Sequence, residues 1–360
     1  MQVLLQLPVL QLDTDLMTPD SPTASHRRRQ LLQAVAASSL PLAFAPARAA
    51  QRSALVIGGL PVTCNLTLPV ACSAKAASNA STPGPHAAFE FSKYGGWAEV
   101  KESLMTGRIP AAYMLAPLVM DLVAGGIPLK IVSLGHRSGA VIMVRTDSAY
   151  RRFADLKGRR VAIPSRFAVD HLFLRKMLAR EGMRATDIDI IEMPPPDMPA
   201  ALYANAIDAY CTGEPFGAAA QRAGYARPLA MTRDQWRNYI CCVLTVREEL
   251  IRDERPLVQD LVNHVQAAGS WLDAAPGNRE KAVAIASRRT FFNQDPKIIR
   301  FVMNNPHDRV TYGDLRMLRA EFDDLMQLSL EARTIRRPIA YERYVDDSFV
   351  KNLKPAPIAL

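Results

Sequence analysis

Cysteine is scarce: five residues, at positions 64, 72, 211, 241 and 242, an odd number that excludes complete pairing within the chain. No C-x-x-C and no histidine at ligand spacing accompanies them, so linear spacing argues against a zinc site. Cys241 and Cys242 fall inside the apolar, β-branched run from Tyr239 to Val246, where thiols buried in a strand are the plain expectation. Catalytic signatures are missing as well. There is no G-x-S-x-G, no H-E-x-x-H, no P-loop and no G-x-G-x-x-G followed by a matching acidic residue. The expectation is therefore a protein that is not an enzyme and needs no cofactor or metal. No apolar run approaches the ~20 residues that cross a bilayer. Basic clusters are short and scattered (Arg151-Arg152, Lys157 to Arg160, Arg336-Arg337) and lack interleaved aromatics, so they read as solvated faces and not as a nucleic-acid surface.

What is present begins at the N-terminus. Ser25-His26-Arg27-Arg28-Arg29-Gln30-Leu31-Leu32 resembles a twin-arginine export signal, followed by an apolar run to Ala45 that Gln33, two serines and Pro41 interrupt. Ala47-Arg48-Ala49 then offers small residues to a signal peptidase. Residues 1–49 are read as a leader, with Met17 as an alternative start, and the expected location is the periplasm, reached in the folded state. No lipid-accepting cysteine stands at the cleavage site, since the first is Cys64. The remaining length suits two lobes of about 150 residues each. A composition 49% hydrophobic and 22% charged is that of an ordinary globular protein, and a net charge of +9 favours anionic small molecules or surfaces.

Strand-like and helix-like segments alternate after the leader, the pattern of an α/β fold with mostly parallel sheets. Ala54 to Gly58, Ala87 to Ser92, Ala111 to Leu115, Lys130 to Leu134 and Ala140 to Val144 read as strands. A second unit offers strands at Arg160 to Ile163, Ile188 to Met193 and Ala209 to Thr212, with a helix from Phe167 to Arg180. The strand of Cys241-Cys242 then returns to the first unit, and helix predominates from Arg247 to about Leu330. The expected division is lobe I over 50–143, lobe II over 144–239, a lobe I return over 240–335, and an irregular tail over 336–360. Two passages between lobes make a hinge, and ligands bind in such clefts at the carboxyl ends of strands.

Six segments resemble one family in order: Leu60 to Thr63, Gly96 to Leu104, Ala111 to Pro117, Asp155 to Pro164, Asp208 to Pro215 and Cys241 to Arg247. Together they look like the substrate-binding proteins of ABC importers for nitrate, sulfonate, taurine and bicarbonate, a group that includes binders of thiamine-pyrimidine precursors. The resemblance spans essentially the whole chain after the leader. It implies a two-lobed type II periplasmic binding fold with two crossover strands and a helical C-terminal part. It also implies capture of a small polar or anionic solute by a monomer, with an inner-membrane permease and ATPase as partners. A ligand sensor coupled to a regulatory partner, or an enzyme of the pyrimidine-synthase type, would use the same architecture. The latter relative carries a longer Cys-rich motif than Cys241-Cys242.

The candidate ligand contacts are Thr63, Asn65, Trp97, Met114, His136, Arg137, Ser165, Arg166 and Glu214. Ser165-Arg166-Phe167 opens a helix, whose free N–H groups and positive dipole end attract anions; Ser165 as a mere cap beside a solvated Arg166 is the alternative. Gly135 to Gly139 brackets His136 and Arg137 in a tight polar loop, equally readable as a surface turn. Some nitrate binders carry Gln where this chain has Gly139, which sets nitrate itself apart. Glu214 ends a buried strand, as an acceptor for an N–H-rich ligand or as half of an ion pair with Arg137 or Arg166. Asp197 reads as a helix cap, and Trp97 as a pocket wall or as core.

Overall fold

Buried Leu55 and Ile57, followed by Gly58-Gly59, build β1 (Leu55–Gly59), the first strand of the computed structural model, which describes residues 54–81, 88–354 and 356–360. The segment 1–49 expected to be a leader lies outside these residues. After β1 come α1 (Thr67–Ser81), β2 (Phe89–Lys93), α2 (Trp97–Met105) and β3 (Ala111–Leu115). They are followed by α3 (Ala116–Ala124) and β4 (Leu129–Leu134). Pro117 sits in the first turn of α3, where its missing N–H is not needed, and Gly126 ends the segment at φ +92°, a conformation that only glycine adopts freely.

The chain then crosses to a second sheet through β5 (Arg137–Ser138) and β6 (Ala140–Arg145). The second lobe adds β7 (Arg160–Ile163), α4 (Val169–Arg180), β8 (Asp189–Glu192), α5 (Met198–Tyr203) and β9 (Ala209–Gly213). It closes with α6 (Phe216–Arg222), β10 (Ala226–Met231) and α7 (Thr232–Gln235). The return strand is β11 (Cys242–Arg247), and the C-terminal part holds α8 (Glu248–Ala274), α9 (Pro276–Ala286) and α10 (Pro296–Asn304). Last come β12 (Val310–Thr311), α11 (Arg319–Glu331), α12 (Tyr341–Tyr344) and α13 (Ser348–Lys351).

The first sheet has the order β2-β1-β3-β11-β4, with β1, β2 and β3 parallel and β11 antiparallel to both neighbours. The second has the order β10-β6-β9-β7-β8, parallel through β8, β7 and β9 and antiparallel at β6 and β10. One apolar cluster packs around the first sheet, and two smaller ones cover the faces of the second. This is the two-lobed type II periplasmic binding fold that the family resemblance implies.

Three boundaries differ from the sequence expectation. The first crossing lies at 135–139, ahead of the expected lobe boundary at 143–144, because Ala140–Arg145 pairs with β9 and β10 and not with β4. Ser138 at φ 62° and Gly139 at φ +105° turn the chain there. The helix expected from Phe167 begins at Val169, since Ser165 and Glu192 hold the preceding loop. The tail after Arg336 is not irregular throughout: it forms α12 and α13, buries Tyr341, Tyr344 and Phe349, and bridges Val345 to Ile131.

The two crossings touch one another. Arg137 forms an antiparallel bridge to Ile240 and pairs on its other side with Thr311. Gly135 allows this approach, because a Cβ there would stand 2.0 Å from the Tyr113 ring. Tyr113 in turn shares a hydrogen bond of 2.7 Å with Thr67, whose hydroxyl also donates to the Gly135 carbonyl at 3.0 Å.

Candidate functional site

The carboxyl ends of β1, β3, β4 and β9 converge on the crossings, and most of the expected ligand residues sit there. Thr63 is fully buried; its N–H and hydroxyl both donate to the Glu214 carbonyl, at 2.9 and 3.0 Å, tying the lobes together. Asn65 is fully buried as well. Its Oδ1 accepts the Leu60 N–H at 2.9 Å, while its Nδ2 has no hydrogen-bond partner. Met114 is buried on β3 opposite Val243. His136 is completely buried, its Nε2 accepting the Cys242 N–H at 3.2 Å and its Nδ1 without a partner.

Two of the expected charged residues are engaged elsewhere. Arg137 forks onto Glu321 with bonds of 2.8 and 2.9 Å, and donates to the carbonyls of Asp314, Asn238 and Arg316. Its guanidinium thereby anchors the first crossing to the C-terminal part. Glu214 pairs with Arg309, a partner that its position in sequence does not reveal, and also accepts the Ala218 N–H at 2.8 Å. Burial pushes the Glu214 carboxyl up, and the Arg309 guanidinium pulls it back.

The remaining candidates lie nearer the rim. A cavity of about 390 Å³ has Trp97, Lys101 and Leu118 of the first lobe on one side and Ser165, Phe167 and Glu192 of the second on the other. Beside it, about 840 Å³ is bounded by Asp121, Arg166, His171, Arg333, Arg336 and Arg337. Four arginines around one opening favour an anion. Arg166 is half exposed and pairs with Glu192 at 3.1 Å. Its N–H also goes to Glu192, at 2.9 Å, and the Phe167 N–H goes to Ser165 Oγ at 3.2 Å, so both loop amides are satisfied within the protein. Asp197 occupies the cap position of α5 without accepting a bond there. A larger cavity, about 1010 Å³, is lined by Phe89, Phe91, Ile285 and Arg288 of the first lobe and C-terminal part, and no second-lobe residue reaches it.

One cluster is invisible to sequence spacing. Cys64, His136, Cys241 and Cys242, all buried, bring one sulfur or ring nitrogen each to within 4.8 Å of one another. Cys64 sits on the turn after β1, His136 on the first crossing and the vicinal pair on the return. Glycines close over it: a Cβ on Gly213 would lie 2.9 Å from Cys64 Sγ, and one on Gly139 3.6 Å away. Hydrogen bonds from Cys241 and Cys242 hold the Cys64 thiol down at about 6, while burial pushes Cys242 well up. Burial and the nearby Cys241 likewise raise Asp170 far above the usual carboxylate range, and its Oδ1 has no partner. Only the histidine of this cluster was a sequence candidate, because each member comes from a different turn or strand end except the adjacent pair.

Two sheets, two crossings and a polar seam between them define a two-lobed α/β architecture. Residues 48–287 match the NMT1-like family, and the chain belongs to it. The nitrate/nitrite binding protein NrtA of Nostoc is 25% identical over 259 residues, covering 63% of this chain and 58% of that protein. The chain thus spans little more than half the length of that relative. Among solved structures, the ligand-binding component of an ABC-type import system from Staphylococcus aureus, determined with zinc bound, is 25% identical with a TM-score of 0.75, over 84% of this chain and 99% of that one. The periplasmic NrtA of Synechocystis shares the fold at 18% identity and a TM-score of 0.72, over 83% and 87% of the chains. A desulfurization enzyme, DSZB, shares it at 17% and 0.61, over 84% and 98%.

Proposed function

We propose that the chain is the solute-capturing component of an ABC importer, exported by the twin-arginine route and working in the periplasm. It closes its lobes on a small anion or strongly polar solute and presents the closed form to a permease and its ATPase. The observation that carries this reading is the hinge: two sheets joined by paired crossings at 135–139 and 232–241, with walls from both lobes around the seam. The likeness to nitrate-binding and import-system proteins supports the transport role. The arginine-rich rim and the unpaired, buried Nδ2 of Asn65 support an anionic or acceptor-rich solute.

Thr63, Asn65, Trp97, Met114, Ser165 and Arg166 remain the proposed contacts, with His136, Arg137 and Glu214 acting through the frame that holds them. Closure follows only when solute binds the closed state better than the open one. A thermal-shift screen against nitrate, bicarbonate, alkanesulfonates, taurine and pyrimidines tests the reading. A solute at 100 times its dissociation constant adds about 2.7 kcal/mol of stability. No shift with any member of the panel, in protein shown to be folded, would count against anion capture.

A further inference from the structure

The buried cluster of three thiols and an imidazole exceeds what a solute-binding seam requires. Cysteine is often buried as a small hydrophobe, and Cys72 and Cys211 fit that description, each apart from the cluster. The other three do not scatter in this way. They meet a histidine at one point, from segments that the fold brings together only at the crossings.

We propose that Cys64, His136, Cys241 and Cys242 form a resident zinc site on the first-lobe wall of the cleft. The donor set is that of structural Cys₃His centres, in which four protein ligands close a tetrahedron. With Zn–S of about 2.3 Å, the sulfur–sulfur edge of such a tetrahedron is about 3.8 Å. Cys241 Sγ and Cys242 Sγ stand 4.0 Å apart, and no pair in the cluster exceeds 4.8 Å. Contraction by about 1 Å or less therefore completes the geometry, within what side-chain torsions supply. Thiolate softness selects zinc and copper(I) over calcium or magnesium, and the added imidazole with four-fold coordination favours zinc. His136 is completely buried beside the three thiols; a neutral imidazole has a single free lone pair, so ligating zinc exchanges the bond that Nε2 accepts from the Cys242 N–H for the metal. The zinc would join β1, β4 and β11 where the lobes meet, so it fixes the first-lobe wall against which the second closes. This assignment does not depend on which solute the cleft accepts.

The test uses the whole chain, purified under reducing conditions. Metal content by mass spectrometry should show about one zinc per protein, lost in Cys64→Ser and in His136→Ala and retained in Cys72→Ser. Cobalt(II) exchanged into the protein should give a near-ultraviolet sulfur-to-cobalt charge-transfer band. In denaturant, two of the five thiols should react with a thiol reagent at once and the other three only after a strong chelator is added. These readouts on the unmutated protein stand even where a variant folds poorly. Protein that carries no zinc, gives no cobalt–thiolate band and exposes all its thiols equally on unfolding with or without chelator would overturn the site. So would a disulfide within the cluster under the same conditions. Solute binding measured on the same sample separates this failure from failure of the transport reading.

Discussion

Replacing Glu214 by Leu tests whether the seam is held as described. Its carboxylate is fully buried, its partner Arg309 is 2% exposed, and the two face each other across lobes at 2.6 Å. Without the carboxylate, Arg309 retains the Asn305 carbonyl at 2.8 Å and only long contacts of 3.4 Å to Gln221. Breaking a buried pair from one side costs about 3–5 kcal/mol, because the remaining charge stays out of water. At roughly 2 °C per kcal/mol for a domain of this size, Tm should fall by about 6–10 °C. The double variant Glu214→Leu with Arg309→Met removes both charges and should recover most of the loss. Differential scanning calorimetry of the wild type, both singles and the double closes the cycle. A Glu214→Leu protein within about 1 kcal/mol of wild type, or a double variant no better than the single, would refute the claim that this pair is desolvated and interlobe.

Asp170 titrates in the opposite sense to a typical paired carboxylate. Its folded-state pKa lies well above 3.8, so its contribution to stability is full below the unfolded value and is lost as pH rises through the folded one. Asp170→Asn should therefore flatten the fall in stability above about pH 4 and raise Tm at neutral pH, as pH-resolved thermal unfolding would show. Arg166→Ala removes a half-exposed pair with Glu192, so stability should change by less than about 1 kcal/mol. Affinity for the identified solute, read by calorimetric titration, should fall roughly tenfold as a charge-assisted hydrogen bond is lost. Replacing Arg28 and Arg29 by Lys should leave precursor in the cytoplasm when cell fractions are blotted, and undiminished periplasmic protein would discount the export route.

The alternation of strands and helices was legible because each element carries its own signals. The apolar run before Gly58-Gly59 and the strand Ala111 to Leu115 lie close to where sequence placed them. The side of the hinge on which a strand falls was less legible. Ala140–Arg145 reads like a neighbour of Leu129–Leu134, but the chain turns at Ser138 and Gly139, both at positive φ, and the strand pairs in the other sheet. Partnerships across long stretches of chain left no local trace. Arg309 reaches Glu214 from 95 residues away, Glu321 reaches Arg137 from 184, and Cys64 meets Cys241 through the fold alone. The polar character of 135–139 and 213–215 did point to the seam. What sequence lacked was the identity of the groups that neutralise it.

Solute-driven closure is the central claim, and small-angle X-ray scattering measures it most directly. The protein is compared alone and with a saturating solute identified by the thermal screen. The account predicts a smaller radius of gyration in the second curve, because the lobes rotate together about the paired crossings. A tightly bound solute that leaves the two curves superimposable would contradict the hinged trap.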